Sequence, residues 1–187
     1  MPTIIGISGS LRRASFNTML LRAAVEVAPA GTTIDVASIE TIPLYHGDVE
    51  AEEGIPQPVQ QLKDRIATAD GLLLVTPEYN NSIPGVMKNA IDWLSRPQGD
   101  IARVFRNCPV GVIGATPGPG MTIAAQLAWL AVLRVLGTMP FFGPRVAIAR
   151  ASGVFDADGR IVDDAVRVQL QTFVTAFAAF VDEHKRA

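Results

Sequence analysis

The chain has 187 residues, a formal net charge of −2 and a pI near 5.7, a balance that excludes the basic footprint of a nucleic-acid binder. One cysteine, Cys108, excludes an internal disulfide and fits a reducing compartment. Two histidines, His46 and His184, with that single cysteine exclude the usual metal sites. The first strand starts almost at Met1, which leaves no room for a signal peptide, so a cytoplasmic location is expected. The longest uncharged stretch, Asn107 to Leu133, is broken by Pro109, Pro117 and Pro119 and is not a membrane span.

Apolar, strand-like runs alternate with helical patterns along the chain. A strand is expected over Thr3–Ser8, a helix from about Asn17 to Ala28, and a second strand over Thr33–Ala37. A loop carrying Pro43, Gly47, Gly54 and Pro56 follows, then a helix from about Pro58 to Ala67. The run Gly71–Thr76 reads as the third strand, Pro84 to Leu94 as a helix, and Pro109–Ala115 as the fourth strand. A helix over Ile123–Leu136, a fifth strand over Pro144–Ala149 and a turn at Asp156–Gly159 come next. In the last helix Val166, Leu170, Phe173, Val174, Phe177 and Val181 mark one face. Five β-α units in one domain of residues 1–187 predict an α/β three-layer sandwich, with a parallel sheet covered on both faces. The expected order is 2-1-3-4-5, which puts the ligand crevice beyond the carboxyl ends of strands 1 and 3.

The segment between the first strand and first helix is dense in small residues, hydroxyls and cations: Ser8-Gly9-Ser10-Leu11-Arg12-Arg13-Ala14-Ser15-Phe16-Asn17. Free backbone N–H groups and the positive end of the helix make such a loop an anion site. Ser10, Ser15 and Asn17 offer side-chain donors for a phosphate and Arg12 adds charge. A tight turn with Ser15 or Asn17 as a plain helix cap fits the loop equally well. It is neither a P-loop nor a G-x-G-x-x-G fingerprint, and the second glycine of a nucleophile elbow is missing.

Gly9-Ser10-x-Arg12-x-x-Ser15-x-Asn17 resembles the phosphate loop of the NADPH-dependent FMN reductases, which include chromate and quinone reductases. A second block, Thr76-Pro77-Glu78-Tyr79-Asn80-x-Ser82-x-Pro84-Gly85-x-x-Lys88-Asn89-Ala90-Ile91-Asp92-Trp93-Leu94, carries the same resemblance, as does Ile42-Pro43-Leu44-Tyr45. The resemblance implies a flavodoxin-like fold and bound FMN reduced by NADPH or NADH. Quinones, azo or nitro compounds, chromate or free flavin would be the acceptors. It implies cofactor contacts at Ser10, Arg12, Ser15, Phe16 and Asn17, with Pro77, Glu78, Tyr79 and Asn80 along the ring. Thr116 would lie near its pyrimidine edge, and Gly118 would contact the cofactor from the same loop, which completes the crevice. No catalytic side chain is implied, because the flavin carries the hydride step. A flavodoxin-type electron carrier would be more acidic than this chain, and an NAD(P)-sensing flavoprotein would bind without turnover.

From Met121 to Leu136 only Thr122, Gln126 and Arg134 are clearly polar, and Met87, Ile91 and Trp93 are spread around the preceding helix. Hydrophobic residues make up 49% of the chain against 18% charged. Both observations predict a homodimer through these two helices, with Trp129 in the interface. Relatives carry paired glycines and an arginine before Gln126 and a polar pattern after it. This chain has Met121 to Ala125 and Leu127 to Val132 there, which favours a dimer over a tetramer and bears on the nicotinamide approach.

Overall fold

The structure is a computed structural model and describes residues 1–185. Strand β1 (Thr3–Ser8) lies between β2 (Thr33–Ala37) and β3 (Gly71–Val75), and β3 pairs on its other side with β4 (Pro109–Ala115). All these pairings are parallel, in the order β2-β1-β3-β4-β5, a flavodoxin-like arrangement. Every residue of β3 is buried, as a central parallel strand covered on both faces must be.

Helices α1 (Phe16–Glu26) and α7 (Asp164–Glu183) cover one face. The predicted face of α7 is buried there through Leu170, Phe173, Val174, Phe177 and Val181. Helices α3 (Gln57–Thr68), α4 (Gly85–Leu94) and α6 (Ile123–Val135) cover the other. Asp163 caps α7, accepting from the N–H groups of Ala165 and Val166 at 2.9 and 3.1 Å.

Three expectations are corrected. The fifth strand is split: β5 (Met139–Pro140) pairs with Pro109 and Val110, and β6 (Ala147–Ile148) pairs with Gly114 and Ala115. Gly143 and Pro144 lie between the halves, and Pro144 has no N–H with which to continue the ladder. The segment read as a loop holds helix α2 (Gly47–Glu53), where the His46 imidazole accepts the Asp48 N–H at 3.2 Å. A four-residue helix α5 (Ile101–Val104) follows a 3-10 turn.

The third correction concerns the apolar helices. Trp129 faces inward, fully buried, and its indole N–H donates to Thr76 Oγ1 at 3.1 Å. Met87, Ile91 and Trp93 are buried within the chain as well, and the Trp93 N–H donates to the Pro43 carbonyl at 2.9 Å. Their wide angular spread reflects a second surface, the segment around Pro43, laid against α4. The outward apolar residues of α6 are instead Leu127 and Val135, 62% and 81% exposed.

Helix α3 carries a lysine inside the protein. Lys63 is fully buried and pairs with Asp100 at 2.6 Å while donating to the Arg96 carbonyl. Arg103 bridges Asp100 and Asp64, tying α3 to the segment after α4. Among the described residues no helix is long and apolar enough to cross a membrane.

Candidate functional site

Beyond the carboxyl ends of β1, β3 and β4, three loops leave the same edge of the sheet. The ladder runs on for one step into each: the N–H groups of Gly9, Thr76 and Thr116 donate to Val75, Ile113 and Ile148 at 2.8–2.9 Å. This is the point where the order reverses, the place a parallel sheet offers a ligand.

The first loop closes on the N-terminus of α1. Ser15 caps the helix, its hydroxyl oxygen accepting the Thr18 N–H at 3.3 Å, which leaves its own O–H to donate elsewhere. Among the described residues the backbone N–H groups of Ser10, Leu11, Arg13, Ala14, Ser15, Phe16 and Asn17 meet no acceptor. Ser10 Oγ accepts the Arg12 N–H at 3.4 Å. Arg12 and Arg13 are exposed and unpaired with any described carboxylate. A cluster of free donors at the positive end of a helix, beside two cations, suits a dianion. Gly9 allows the chain through: a Cβ there would sit 2.6 Å from Met87 Sδ and 3.0 Å from Pro77.

Two residues of this loop have duties the sequence does not reveal. Phe16 is half-buried and stacks on Phe155, centroids 5.9 Å apart. The Asn17 side chain, expected as an anion donor, turns inward instead. Its amide donates to the Ala115 carbonyl and accepts the Ala115 N–H, each at 2.9 Å, fastening α1 to the end of β4. For Asn17, the backbone N–H is the group that meets the loop.

The second loop follows β3. Thr76 is buried, its O–H donating to the Pro77 carbonyl at 2.9 Å. Tyr79 and Ser82 exchange backbone hydrogen bonds at 3.2 and 3.1 Å around Asn80 and Asn81, whose φ values are 51° and 58°. Two consecutive left-handed residues make the tight turn of a two-residue hairpin, a conformation that asparagine tolerates. Tyr79 and Asn80 are thus held exposed at the rim, with Pro77 buried below. Glu78 is not a free loop carboxylate. It accepts the Ala125 N–H at 3.1 Å and so caps α6, whose own N-cap residue, Thr122, is left-handed and makes no cap bond.

The third loop follows β4. Gly114 lies where a Cβ would be 2.2 Å from the Thr76 carbonyl oxygen, so strand and second loop touch. Thr116 Oγ1 accepts the Gly118 N–H at 3.3 Å. The carbonyls of Thr116 and Gly118 accept from Ala151 and Arg150, each at 3.0 Å. The third loop is therefore held by the segment after β6, and the helix that follows it by Glu78. Neither tie has a local sequence signal.

A fourth segment flanks α4. Asn89 grips the chain at two points, its amide donating to the Pro43 carbonyl and accepting the Tyr45 N–H, both at 2.8 Å. Tyr45 donates to Glu50 at 2.9 Å, and Arg96 holds the same carboxylate at 2.8 and 3.1 Å. The Arg96 bonds keep the Glu50 carboxyl below its usual range, and the bond to Glu50 raises the Tyr45 phenol. Around the crevice the polar side chains are hydroxyls, amides, an engaged carboxylate and free arginines. Such a set binds and orients.

Residues 2–153 match the family described as NADPH-dependent FMN reductase. An NAD(P)H-dependent FMN reductase of Pseudomonas aeruginosa is 42% identical over 178 residues, spanning 95% of this chain and 94% of the relative. A 2-hydroxy-1,4-benzoquinone reductase of a Burkholderia species is 40% identical, covering 96% of each. Among solved structures, FerB, a flavoenzyme NAD(P)H:(acceptor) oxidoreductase of Paracoccus denitrificans, superposes with a TM-score of 0.89. It is 34% identical over the full length of both chains.

Proposed function

The chain belongs to the NADPH-dependent FMN reductase family, and from that membership and the donor cluster at α1 we propose that it binds FMN and reduces quinones with NAD(P)H. The observation that carries the reading is the set of seven backbone N–H groups without acceptors in the loop between β1 and α1, which lies where the strand order reverses. They fit a terminal phosphate, and the Ser10 and Ser15 hydroxyls with the Arg12 guanidinium complete its shell. Phe16, stacked on Phe155, backs this loop. Pro77, Glu78, Tyr79 and Asn80 would border the flavin ring on one side, and Thr116 and Gly118 would border its polar edge. When bound, FMN supplies the hydride chemistry, drawing on the nicotinamide and delivering to the acceptor.

The protein's own task is to hold the phosphate, keep Tyr79 at the rim and leave one ring face open. Chromate, azo and nitro compounds and free flavin are further acceptors on this reading, since an exposed ring selects weakly. The whole of residues 1–187 is read as one such domain, at work in the cytoplasm. Two copies would pair through Val135 of α6 and Val86 of α4, both exposed. Initial rates of NADPH oxidation at several fixed quinone concentrations test the reading. Parallel reciprocal plots are expected, because donor and acceptor use one open face in turn; intersecting plots would mean two separate sites.

A further inference from the structure

The split fifth strand leaves a gap against β4. Backbone groups of alternate β4 residues face it: the Phe141 N–H donates to the Val110 carbonyl at 2.8 Å, and the Gly114 N–H to the Val146 carbonyl at 3.2 Å. Between those two bonds stands Val112. Neither its N–H nor its carbonyl has a partner among the described residues.

The detour of the chain explains why. Phe141 turns toward α7, its ring 5.3–5.5 Å from those of Phe173, Phe177 and Phe180. Gly143 passes against that ring, where a Cβ would lie 2.2 Å from Phe141 Cζ. Pro144 has no N–H to offer the Val112 carbonyl. The chain rejoins the sheet only at Val146, which is fully buried.

The detour opens a cavity of about 280 Å³, walled by Val110, Val112, Leu127, Leu130, Phe141 and Phe142. Phe142 stands 76% exposed at its border. The Gln126 amide N–H₂ at its edge is already used, donating to Thr122 Oγ1 at 3.2 Å and to the Val146 carbonyl at 3.0 Å. Walls that are apolar apart from Gln126 and Arg145, around one unpaired donor and one unpaired acceptor side by side on a strand edge, define a ligand chemistry. The cavity borders the Val110–Val112 half of β4, apart from the crevice beyond Ala115.

We propose that this cavity is a second binding site, for a planar heteroaromatic molecule of about two rings with a hydrogen-bond donor beside an acceptor on one edge. The edge pairs with the Val112 N–H and carbonyl as a neighbouring strand would, and the ring faces pack on Leu127, Leu130 and Phe142. A lactam edge has this pattern, and 2-quinolone is a suitable probe.

The test uses the FMN-loaded protein and amide exchange by NMR. In the free protein the Val112 amide should exchange faster than those of Gly111 and Ile113, which face β3. 2-Quinolone should slow exchange at Val112, and N-methyl-2-quinolone, lacking the donor, should bind about tenfold more weakly. Leu130→Trp should abolish binding while FMN content, oligomeric state and NADPH oxidation stay at parent values. Slow exchange at Val112 in the free protein, equal binding of the two lactams, competition with quinone, or binding that survives Leu130→Trp would overturn the proposal. The first three readouts use the unaltered chain, so they stand even if the tryptophan variant fails to fold.

Discussion

Asn17 and Ala115, 98 residues apart, hold each other by two hydrogen bonds of 2.9 Å, amide to carbonyl and N–H to amide oxygen. The pair is buried, and it joins the start of α1 to the end of β4, so two walls of the crevice cannot separate. Asn17→Ala would leave a buried N–H and a buried carbonyl without partners. A loss of about 2–3 kcal/mol in unfolding free energy is expected in urea melts, together with weaker FMN retention. Asn17→Asp keeps the acceptor but sets a carboxylate against the Ala115 carbonyl, and should lose more than the alanine variant.

Arg12→Ala should weaken FMN binding by about tenfold to a hundredfold, the loss of a charge-assisted phosphate contact of roughly 1.5–3 kcal/mol, with no change in melting temperature of the apoprotein. Arg13→Ala is the control, since both guanidinium groups are exposed in one loop. Equal losses in fluorescence titrations would assign the effect to general charge.

Glu78 and Ala125 link the second loop to the first turn of α6. Glu78→Ala removes the cap of α6, expected to cost about 0.5–2 kcal/mol. It should also free the Thr116–Gly120 rim, raising KM for NADPH more than it lowers FMN affinity. Glu78→Gln, which keeps an acceptor oxygen, should restore most of both losses in the same assays.

How much of the fold and the site is legible in the sequence follows from what each residue pattern can encode. The buried run Leu72-Leu73-Leu74-Val75 and the one-sided face of α7 announce their elements, because burial acts on each local residue. The expected fifth strand, Pro144–Ala149, contains β6 and misses β5, because the break before Pro144 shows only once Val110 and Gly114 find different partners. The sequence does not show which side of α6 Trp129 takes, because an all-round apolar helix carries no usable period. The Trp129 N–H needed Thr76, and Thr76 lies 53 residues away. The loop donors were readable from Ser10, Arg12 and Ser15, whereas the inward turn of Asn17 depends on β4 arriving beside it.

The Lys63–Asp100 pair gives the acid behaviour. The hydrogen bond from Lys63 holds the Asp100 carboxyl below its usual range, with Arg103 adding to it. A depressed folded-state pKa contributes stability that is present above the ordinary carboxylate value, about 3.9, and is lost as pH falls through the lower folded value. Asp100→Asn should therefore flatten the decline in melting temperature below about pH 4. At neutral pH it should cost about 3 kcal/mol, the low end for a broken buried pair, since Lys63 keeps the Arg96 carbonyl.

The central claim is that this crevice holds FMN for electron transfer from NAD(P)H to a quinone. An anaerobic absorbance titration of the purified, FMN-reconstituted protein tests it most directly. One equivalent of NADPH should bleach the flavin band, and one equivalent of a benzoquinone should bring it back. A protein that retains no FMN after reconstitution, or whose flavin band is unchanged by excess NADPH, would contradict the account.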